Sequence, residues 1–314
     1  IAMYNFRAMN TTIATYYLNE QHNRQTEARF RHAENTLSRF LPESELSQLN
    51  RTENTPFLPS DVLYEAVAEA DRFYYETNGV FNPYLGRDIC RLGYDRSFEK
   101  IESGNVEIQN QFLTNKEAPA EIDPKMRMIK IHGAMIDLGG IGKGWTAQQA
   151  ANQLSKKTPF GGIAAGGDII VWGMPKENWN IHISTPESWD KQLFSFKLDR
   201  PAGIATSSTV KRSWKDKNGQ THHHILDPRT HESSQSDLIQ VSVIAPDLAV
   251  AEVYAKCMII LGWEKGIEWV LEKRKDLGIV GVKNDHSIVT GGAIRDYSSE
   301  GLIYYGERTV HSHS

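Results

Sequence analysis

The sequence predicts an α+β protein, a single compact domain over residues 1–314 with mixed and antiparallel sheets and flanking helices. Apolar residues make up 39% of the chain and charged residues 24%, which is typical of a folded globular protein. Segments with strand and helix patterns alternate without a regular βαβ rhythm, so a doubly wound parallel sheet is disfavoured. No run reaches the roughly 18 apolar residues that a membrane-spanning helix needs.

In the first half of the chain, local patterns predict one strand or a broken pair of strands, and two helices. Residues 3–18 are rich in Thr, Tyr and Ile and read as one strand or a broken pair. Apolar residues recur at helical spacing over 21–41. A second helix is expected after Ser60, a suitable N-cap, and Asn78-Gly79 should end it.

The second half has shorter strands and more glycine. Residues 126–138 predict two short strands around a turn at His132-Gly133. The remaining expectations are a helix over 145–157, a strand after the glycines of 161–167, strands at 179–184 and 238–246, two helices over 247–273 broken at Gly262, and a hairpin over 279–292 that turns at Asn284-Asp285.

Charge and cysteine content exclude several classes of protein. The net charge is −4 and the pI about 6.3, so the chain has no basic field for binding nucleic acid. Two cysteines, Cys90 and Cys257, are too few for a disulfide framework or a zinc cluster. Both are expected to be buried free thiols.

The strongest local motif is a glycine loop over residues 137–144, with the sequence DLGGIGKG. A strand, a loop and a helix start are predicted in that order, which lets backbone N–H groups and the helix N-terminus approach phosphate oxygens, while Lys143 adds a cation. The spacing is that of neither a Walker A loop nor a dinucleotide fingerprint. A tight turn that needs glycine for geometry alone is the alternative.

Three weaker patterns follow. The glycines of 161–167 precede Asp168 and a strand, where a ligand or neighbouring backbone would come close. In the run His222-His223-His224, one histidine suits acid or base chemistry, although a metal pair or a polar loop with surface histidines is also compatible. Glu252 and Lys256 lie one helical turn apart and can form an ordinary ion pair.

Taken in order, these segments resemble the FAD:protein FMN transferase (ApbE) family over nearly the whole chain. The further matching stretches are residues 8–11 (AMNT), 40–50 (FLPESELSQLN), 79–86 (GVFNPYLG), 92–94 (LGY), 205–207 (ATS), 224–230 (HILDPRT) and 241–246 (VSVIAP). Each stretch alone is weakly specific for the family. The occurrence of all of them in the family's order along the chain is strongly specific.

The resemblance implies an enzyme that binds FAD and moves its FMN half onto a threonine hydroxyl of an acceptor protein, with release of AMP. Some members instead hydrolyse FAD to FMN and AMP, and a divalent cation, usually magnesium, assists. It also implies site residues. Contacts to FAD are expected from Met9, Phe40, Val80, Phe81, Asn82, Asp137, Lys143 and Leu226. The metal positions match Gly140, Glu252, Ala255 and Lys256, and His224 is the natural base.

The sequence departs from the family pattern at three places. Asn82 replaces the usual aspartate, and His231 replaces a glycine, where a positive φ would disfavour histidine. At the metal helix, Glu252 and Lys256 replace aspartate and threonine. A protonated lysine cannot ligate magnesium.

Three hypotheses follow from the lysine. Its ammonium replaces the metal ion beside the pyrophosphate, so that Lys256 is a catalytic residue; or Glu252 still binds a metal in a shifted geometry; or the protein binds FAD without turnover. A structural or interaction module without flavin is a distant alternative.

The compartment stays open at this point. No signal-peptide pattern is present, and the chain begins with Ile1 rather than methionine. A cytoplasmic location and an extracytoplasmic one, tethered to the membrane through an N-terminal anchor outside this sequence, are both compatible expectations.

Overall fold

The computed structural model describes residues 3–109 and 119–313. The α-helices are α1 (Glu20–Leu37), α2 (Glu45–Asn50), α3 (Asp61–Glu76), α4 (Gly86–Arg91), α5 (Gly142–Leu154), α6 (Leu248–Leu261), α7 (Trp263–Lys273) and α8 (Ile294–Tyr297), with one 3₁₀ turn at Phe98–Lys100.

The strands are β1 (Met3–Ala8), β2 (Thr11–Tyr16), β3 (Ala120–Asp123), β4 (Met128–Ile131), β5 (Gly161–Ala165), β6 (Asp168–Trp172), β7 (Trp179–Thr185), β8 (Ser188–Leu198), β9 (Ala202–Ser208), β10 (Ser213–Lys215), β11 (Thr221–His223), β12 (Leu226–Asp227), β13 (Glu232–Ser233), β14 (Leu238–Ala245), β15 (Gly278–Lys283), β16 (Ile288–Gly292), β17 (Ile303–Tyr304) and β18 (Val310–Ser312).

The chain divides into two compact units. The first unit comprises Ile1–Arg29, Lys143–Lys211 and Gln235–Ser314, and the second comprises Phe30–Gly142 and Arg212–Ser234. Because the chain enters and leaves each unit more than once, neither is a continuous stretch of sequence. That residues 1–314 form one domain stays a prediction.

The first unit is built on a nine-stranded sheet with the order β1-β2-β5-β6-β9-β14-β15-β16-β18. Neighbouring strands are antiparallel except β16 and β18, so the sheet is mixed. The antiparallel β7–β8 hairpin pairs with β17 in a separate sheet. Aliphatic and aromatic side chains of these strands share one apolar core, with Ile204 and Phe194 among its buried members.

Helix α6 packs on β9 and β14 of this sheet and is buried along nearly its whole length. Asp247 caps its N-terminus by accepting a hydrogen bond from the Val250 N–H (3.1 Å). The adjoining Leu248 N–H donates to Gln148 Oε1 of α5 (2.8 Å). This link joins the second turn of α5 to the start of α6, close to the site described below.

In its described residues, the second unit combines the end of α1 and helices α2–α4 with long loops and three short two-stranded ladders, β3–β4, β10–β11 and β12–β13. Its loop-rich part contains a small apolar core in which Tyr94, Trp214 and Leu226 are buried and Phe40 packs at the edge. The Trp214 indole N–H donates to the Leu92 carbonyl (2.9 Å), so the ring is held in one orientation.

Most local predictions are confirmed, including the α+β class with mixed and antiparallel sheets. Residues 3–18 form two strands joined at Met9-Asn10, whose φ angles of +52° and +56° suit a tight hairpin turn. Ser60 caps α3, Asn78-Gly79 has the positive φ of a helix stop, and Gly262 separates α6 from α7.

One prediction was wrong, and the bounds of another were shifted. Residues 134–138 form no strand and make only a single bridge, between Met135 and Leu85. Strand β4 therefore pairs with the preceding strand, β3. The helix placed at 145–157 begins earlier, at Gly142, because the last glycines of the loop adopt helical backbone. Within residues 3–109 and 119–313, no helix has the length and apolar character needed to cross a membrane.

Candidate functional site

A largely buried lysine and two buried carboxylates form the centre of the candidate site in the first unit. The Nζ atom of Lys143, in the first turn of α5, lies 3.1 Å from Glu252 Oε1 on α6 and 3.8 Å from Asp168 Oδ2 at the start of β6. The three side chains are 16%, 8% and 8% exposed, so these charges interact in a largely dehydrated environment.

Both carboxylates are also held by backbone amides. The Gly144 N–H donates to Glu252 Oε2 (2.8 Å), so the anion at the start of α5 is the protein's own side chain. Asp168 Oδ1 accepts from the Thr206 N–H of β9 (3.0 Å). Two carboxylates facing one ammonium leave this cluster, Lys143–Asp168–Glu252, one formal negative charge in excess.

The turn that carries Asp168 explains the second glycine motif. Gly166 and Gly167 join β5 to β6 with φ of +66° and +121°, which side chains other than glycine rarely adopt. The Gly166 N–H donates to the Thr12 carbonyl (3.2 Å), next to the hairpin turn that contains Met9. Asp168 was not among the residues expected at the site; the Gly-Gly-Asp sequence was the signal that could have placed it there.

Gly144 has no room for a side chain. A Cβ atom there would lie 2.5 Å from Glu252 Oε2 and 3.2 Å from the Leu248 carbonyl oxygen. This close approach lets its N–H reach the carboxylate. Glycine is therefore required at 144 for packing. The motif both permits the close approach of the backbone and places an N–H donor beside a carboxylate.

We expect G144A to lower the free energy of unfolding by about 1–3 kcal/mol, because the methyl group must displace Glu252 or the α6 backbone. Helix propensity alone would predict a gain of about 1 kcal/mol. Chemical denaturation measures which effect is larger. The matched control is G266A in α7, whose nearest neighbour is the movable Met258 sulfur at 2.8 Å. Equal stability of G144A and wild type would contradict this packing argument.

The metal positions of the first unit do not fit a divalent cation in this arrangement. Each Glu252 oxygen already accepts a hydrogen bond from a protein donor. Ala255 is fully buried within α6, where the helix ladder uses its carbonyl. Lys256, half-buried, lies one turn after Glu252 and brings a positive charge. Among the residues that the structure describes, no three His, Cys, Asp or Glu side chains could hold a metal.

In the second unit, Arg39 organises the other expected residues. Its guanidinium donates to Asp137 Oδ2 (3.1 Å) and to the Tyr94 carbonyl (2.7 Å), and lies 4.2 Å from the centroid of the Phe40 ring. The side chain is only 3% exposed. The Gly139 N–H donates to the other oxygen of Asp137 (2.6 Å), while Gly140 follows half-buried. Sequence reasoning missed Arg39, which follows α1 and which no local pattern distinguishes from the cations of that helix.

His224 and Leu226 lie beside the same aromatic ring. The Tyr94 and His224 rings meet edge to face at 6.4 Å, and Leu226 is buried in the core that contains Tyr94. His224 is half-buried. The structure thus brings together Phe40, Asp137, His224 and Leu226 around Arg39 and Tyr94.

The neighbouring histidines have structural partners. His222 Nε2 lies 3.1 Å from Asp216 Oδ2, with both side chains buried. His223 Nε2 is 2.9 Å from the Ser234 carbonyl, and burial lowers the pKa of its imidazole. The alternative of surface histidines is therefore wrong for these two. If one histidine of the run serves as acid or base, His224 is the remaining candidate.

The segment Val80–Asn82 lies close to Asp137. The Asp137 N–H donates to the carbonyl of Pro83 (2.8 Å), the residue that directly follows this segment. Asn82 accepts from the Tyr84 N–H (2.9 Å), a turn contact that an aspartate would make equally well. The Phe81 ring is fully buried against Phe73, whereas Val80 is half-buried.

The two cysteines are free thiols, as expected. Cys257 is buried within α6. Cys90 is half-buried near Arg39, and burial raises the pKa of its thiol, so it is not an activated nucleophile.

Comparison with known proteins indicates one family. The model of the ApbE family matches residues 9–280. A protein of Treponema pallidum named FAD:protein FMN transferase is 24% identical over 250 residues, which cover 74% of this chain and 69% of that protein. A protein of Haemophilus influenzae with the same name is 24% identical over 304 residues, covering 90% and 87%.

Solved structures show the same fold. The ApbE protein of Thermotoga maritima superimposes with a TM-score of 0.76 at 21% identity, covering 91% of this chain and 96% of that one. The flavin transferase ApbE of Vibrio cholerae gives 0.72 at 18% identity, covering 97% and 96%. The expected family and the expected class of enzyme, a transferase, are confirmed. The chain belongs to the ApbE family.

Proposed function

We propose that this protein binds FAD and transfers its FMN half to a threonine hydroxyl of an acceptor protein, releasing AMP. The observation that carries the proposal is the largely buried ammonium of Lys143, in the first turn of α5, which two carboxylates hold in place. A cation held in place beforehand suits a pyrophosphate, whose two negative charges oppose attack by a nucleophile. The names of the relatives support transfer of FMN from FAD to a protein.

The step is a substitution at the FMN phosphorus. The threonine oxygen forms a bond to phosphorus, the bond from that phosphorus to the bridging oxygen breaks, and AMP leaves with the electron pair. The hydroxyl proton passes to the His224 imidazole, which we propose as the general base. With water in place of threonine, the same step yields free FMN and AMP, so FAD hydrolysis is the second outcome of this chemistry.

We further propose that the reaction does not require magnesium. Lys143, Asp168 and Glu252 together carry one excess negative charge, which would repel a pyrophosphate. The ammonium of Lys256, one helical turn from Glu252, supplies the compensating positive charge. Lys143 and Lys256 then neutralise the pair of carboxylates, and Lys256 acts as the catalytic cation in place of a metal ion.

One assay tests both proposals. The protein is incubated with FAD and a whole-cell protein extract as the pool of acceptors, either with magnesium or with EDTA. AMP and FMN are quantified, and covalent flavin is detected by in-gel fluorescence. We expect AMP release and labelled acceptor in both conditions, with rates within about twofold, because the resident cations do not depend on added metal.

The other outcomes are equally informative. FMN and AMP without labelled protein would indicate a FAD pyrophosphatase. Bound FAD without AMP would indicate a flavin-binding protein that has lost turnover. Loss of turnover in EDTA with recovery in magnesium would refute the metal-independent proposal and favour a shifted metal site at Glu252. Absence of any FAD-induced rise in melting temperature would refute flavin binding itself.

A further inference from the structure

The backbone at His231 adopts a conformation that ordinarily calls for glycine. Its φ is +59°, in the left-handed region. The His231 N–H donates to the Asp227 carbonyl (2.8 Å), which closes the turn between β12 and β13. A side chain at such a position costs conformational energy that glycine avoids. The histidine must therefore contribute something that glycine lacks.

The ring and the carbonyl of His231 both contact helix α4. Nδ1 lies 3.0 Å from Asp88 Oδ2, and the carbonyl accepts a hydrogen bond from Arg91 Nη2 (2.7 Å). Asp88 and Arg91 are three residues apart and share one face of α4. Their side chains are 5% and 9% exposed, so the contacts are shielded from water. The bond to the carboxylate requires the proton on Nδ1.

The residues that follow His231 hold the backbone on both sides of His224. The Ser233 hydroxyl accepts from the His223 N–H (2.9 Å) and donates to the His223 carbonyl (2.9 Å). The Ser234 N–H donates to the Ile225 carbonyl (2.9 Å). A shift at 231 would be passed to His224 through these bonds, without any direct contact.

We infer that His231 is a positioning residue: its contact with Asp88 anchors the β12–β13 turn to α4 and thereby fixes the place of His224. The effect on FMN transfer rests on the proposed function, whereas the anchoring itself does not. Glycine at 231 would relieve the backbone but release the turn. Asparagine tolerates the left-handed region, and its Nδ2 reaches nearly the same place as the Nδ1 of histidine.

The test compares H231G, H231N and D88A in the full chain. Hydrogen–deuterium exchange of residues 223–227 reports the anchor without FAD. We expect this exchange to be about tenfold faster or more in H231G and D88A, because the opening equilibrium loses its anchoring contact, and close to wild type in H231N. AMP release should fall in kcat by about tenfold or more in H231G, through misplacement of the base, with H231N within about twofold of wild type.

The matched control is H286G. His286 also has a positive φ, +65°, and its Nδ1 lies 3.0 Å from an acid, Glu187, but it belongs to the first unit. This variant relieves the same kind of strain and should leave exchange at 223–227 unchanged. Wild-type exchange at 223–227 in both H231G and D88A, or the same increase in H286G, would overturn the inference. If the wild type releases no AMP, the proposed function fails while the exchange data still decide the anchor.

Discussion

H224A is expected to bind FAD but to release AMP about 10²–10⁴-fold more slowly than wild type, since positioned general bases contribute factors of that size. His224 is half-buried at the edge of the Tyr94 ring, and the core around that ring is formed by other side chains. Loss of the imidazole should therefore leave the fold intact. FAD fluorescence quenching measures binding, and chromatography of AMP measures turnover.

Two controls separate base chemistry from a general disturbance. H182A removes an exposed histidine of β7 and should leave both quantities unchanged. Added imidazole should partly restore AMP release in H224A, because a free base can enter the space left by the ring. Turnover of H224A within a few-fold of wild type would rule out His224 as the base.

K143A is expected to lose both stability and turnover. It leaves Glu252 and Asp168 buried without their cation, and removing one partner of a buried pair is strongly unfavourable. We expect a loss of about 1–3 kcal/mol in the free energy of unfolding, since two amide donors still bond the carboxylates. AMP release should fall by about 100-fold or more, because a fixed cation no longer faces the pyrophosphate.

A second substitution distinguishes these two effects. In K143A/E252Q the charge of Glu252 is removed as well and only that of Asp168 remains, so stability should partly recover while turnover does not. K217A is the control for removal of an ordinary lysine: its pair with Glu107 (3.0 Å) is exposed and should contribute little. Unchanged melting temperature and turnover in K143A would show that the buried cluster is dispensable.

Local patterns were sufficient for most of the fold. Ser60, Asn78-Gly79 and Gly262 ended or began helices as predicted, because caps and left-handed glycines act through bonds within a few residues. The pattern failed at 134–138, where a strand-like run lies along Leu85 as a single bridge. Strand propensity describes a residue's fit to a sheet and does not determine whether a partner strand is available.

The site was less predictable than the fold. Motif order indicated Lys143, Glu252 and His224, but Asp168 and Arg39 were missed. Arg39 reaches Asp137 across 98 positions of sequence, and no spacing rule connects them. His231 was marked as a departure from the family pattern, and the positive φ is confirmed. Its contact with Asp88 could be seen only once α4 was in place.

By itself, the sequence determined the family, the α+β class and the order of the elements, because these depend on periodicity and on motifs that are local. Tertiary structure decided which charges meet. Spacing on a helix predicted Lys256 as a neighbour of Glu252, whereas the Lys143–Glu252 bond joins residues 109 positions apart. The physical reason is that the Gln148–Leu248 bond joins α5 to α6, and that α6 is buried along nearly its whole length. The partner of a buried charge is therefore determined by which elements pack together in the tertiary structure.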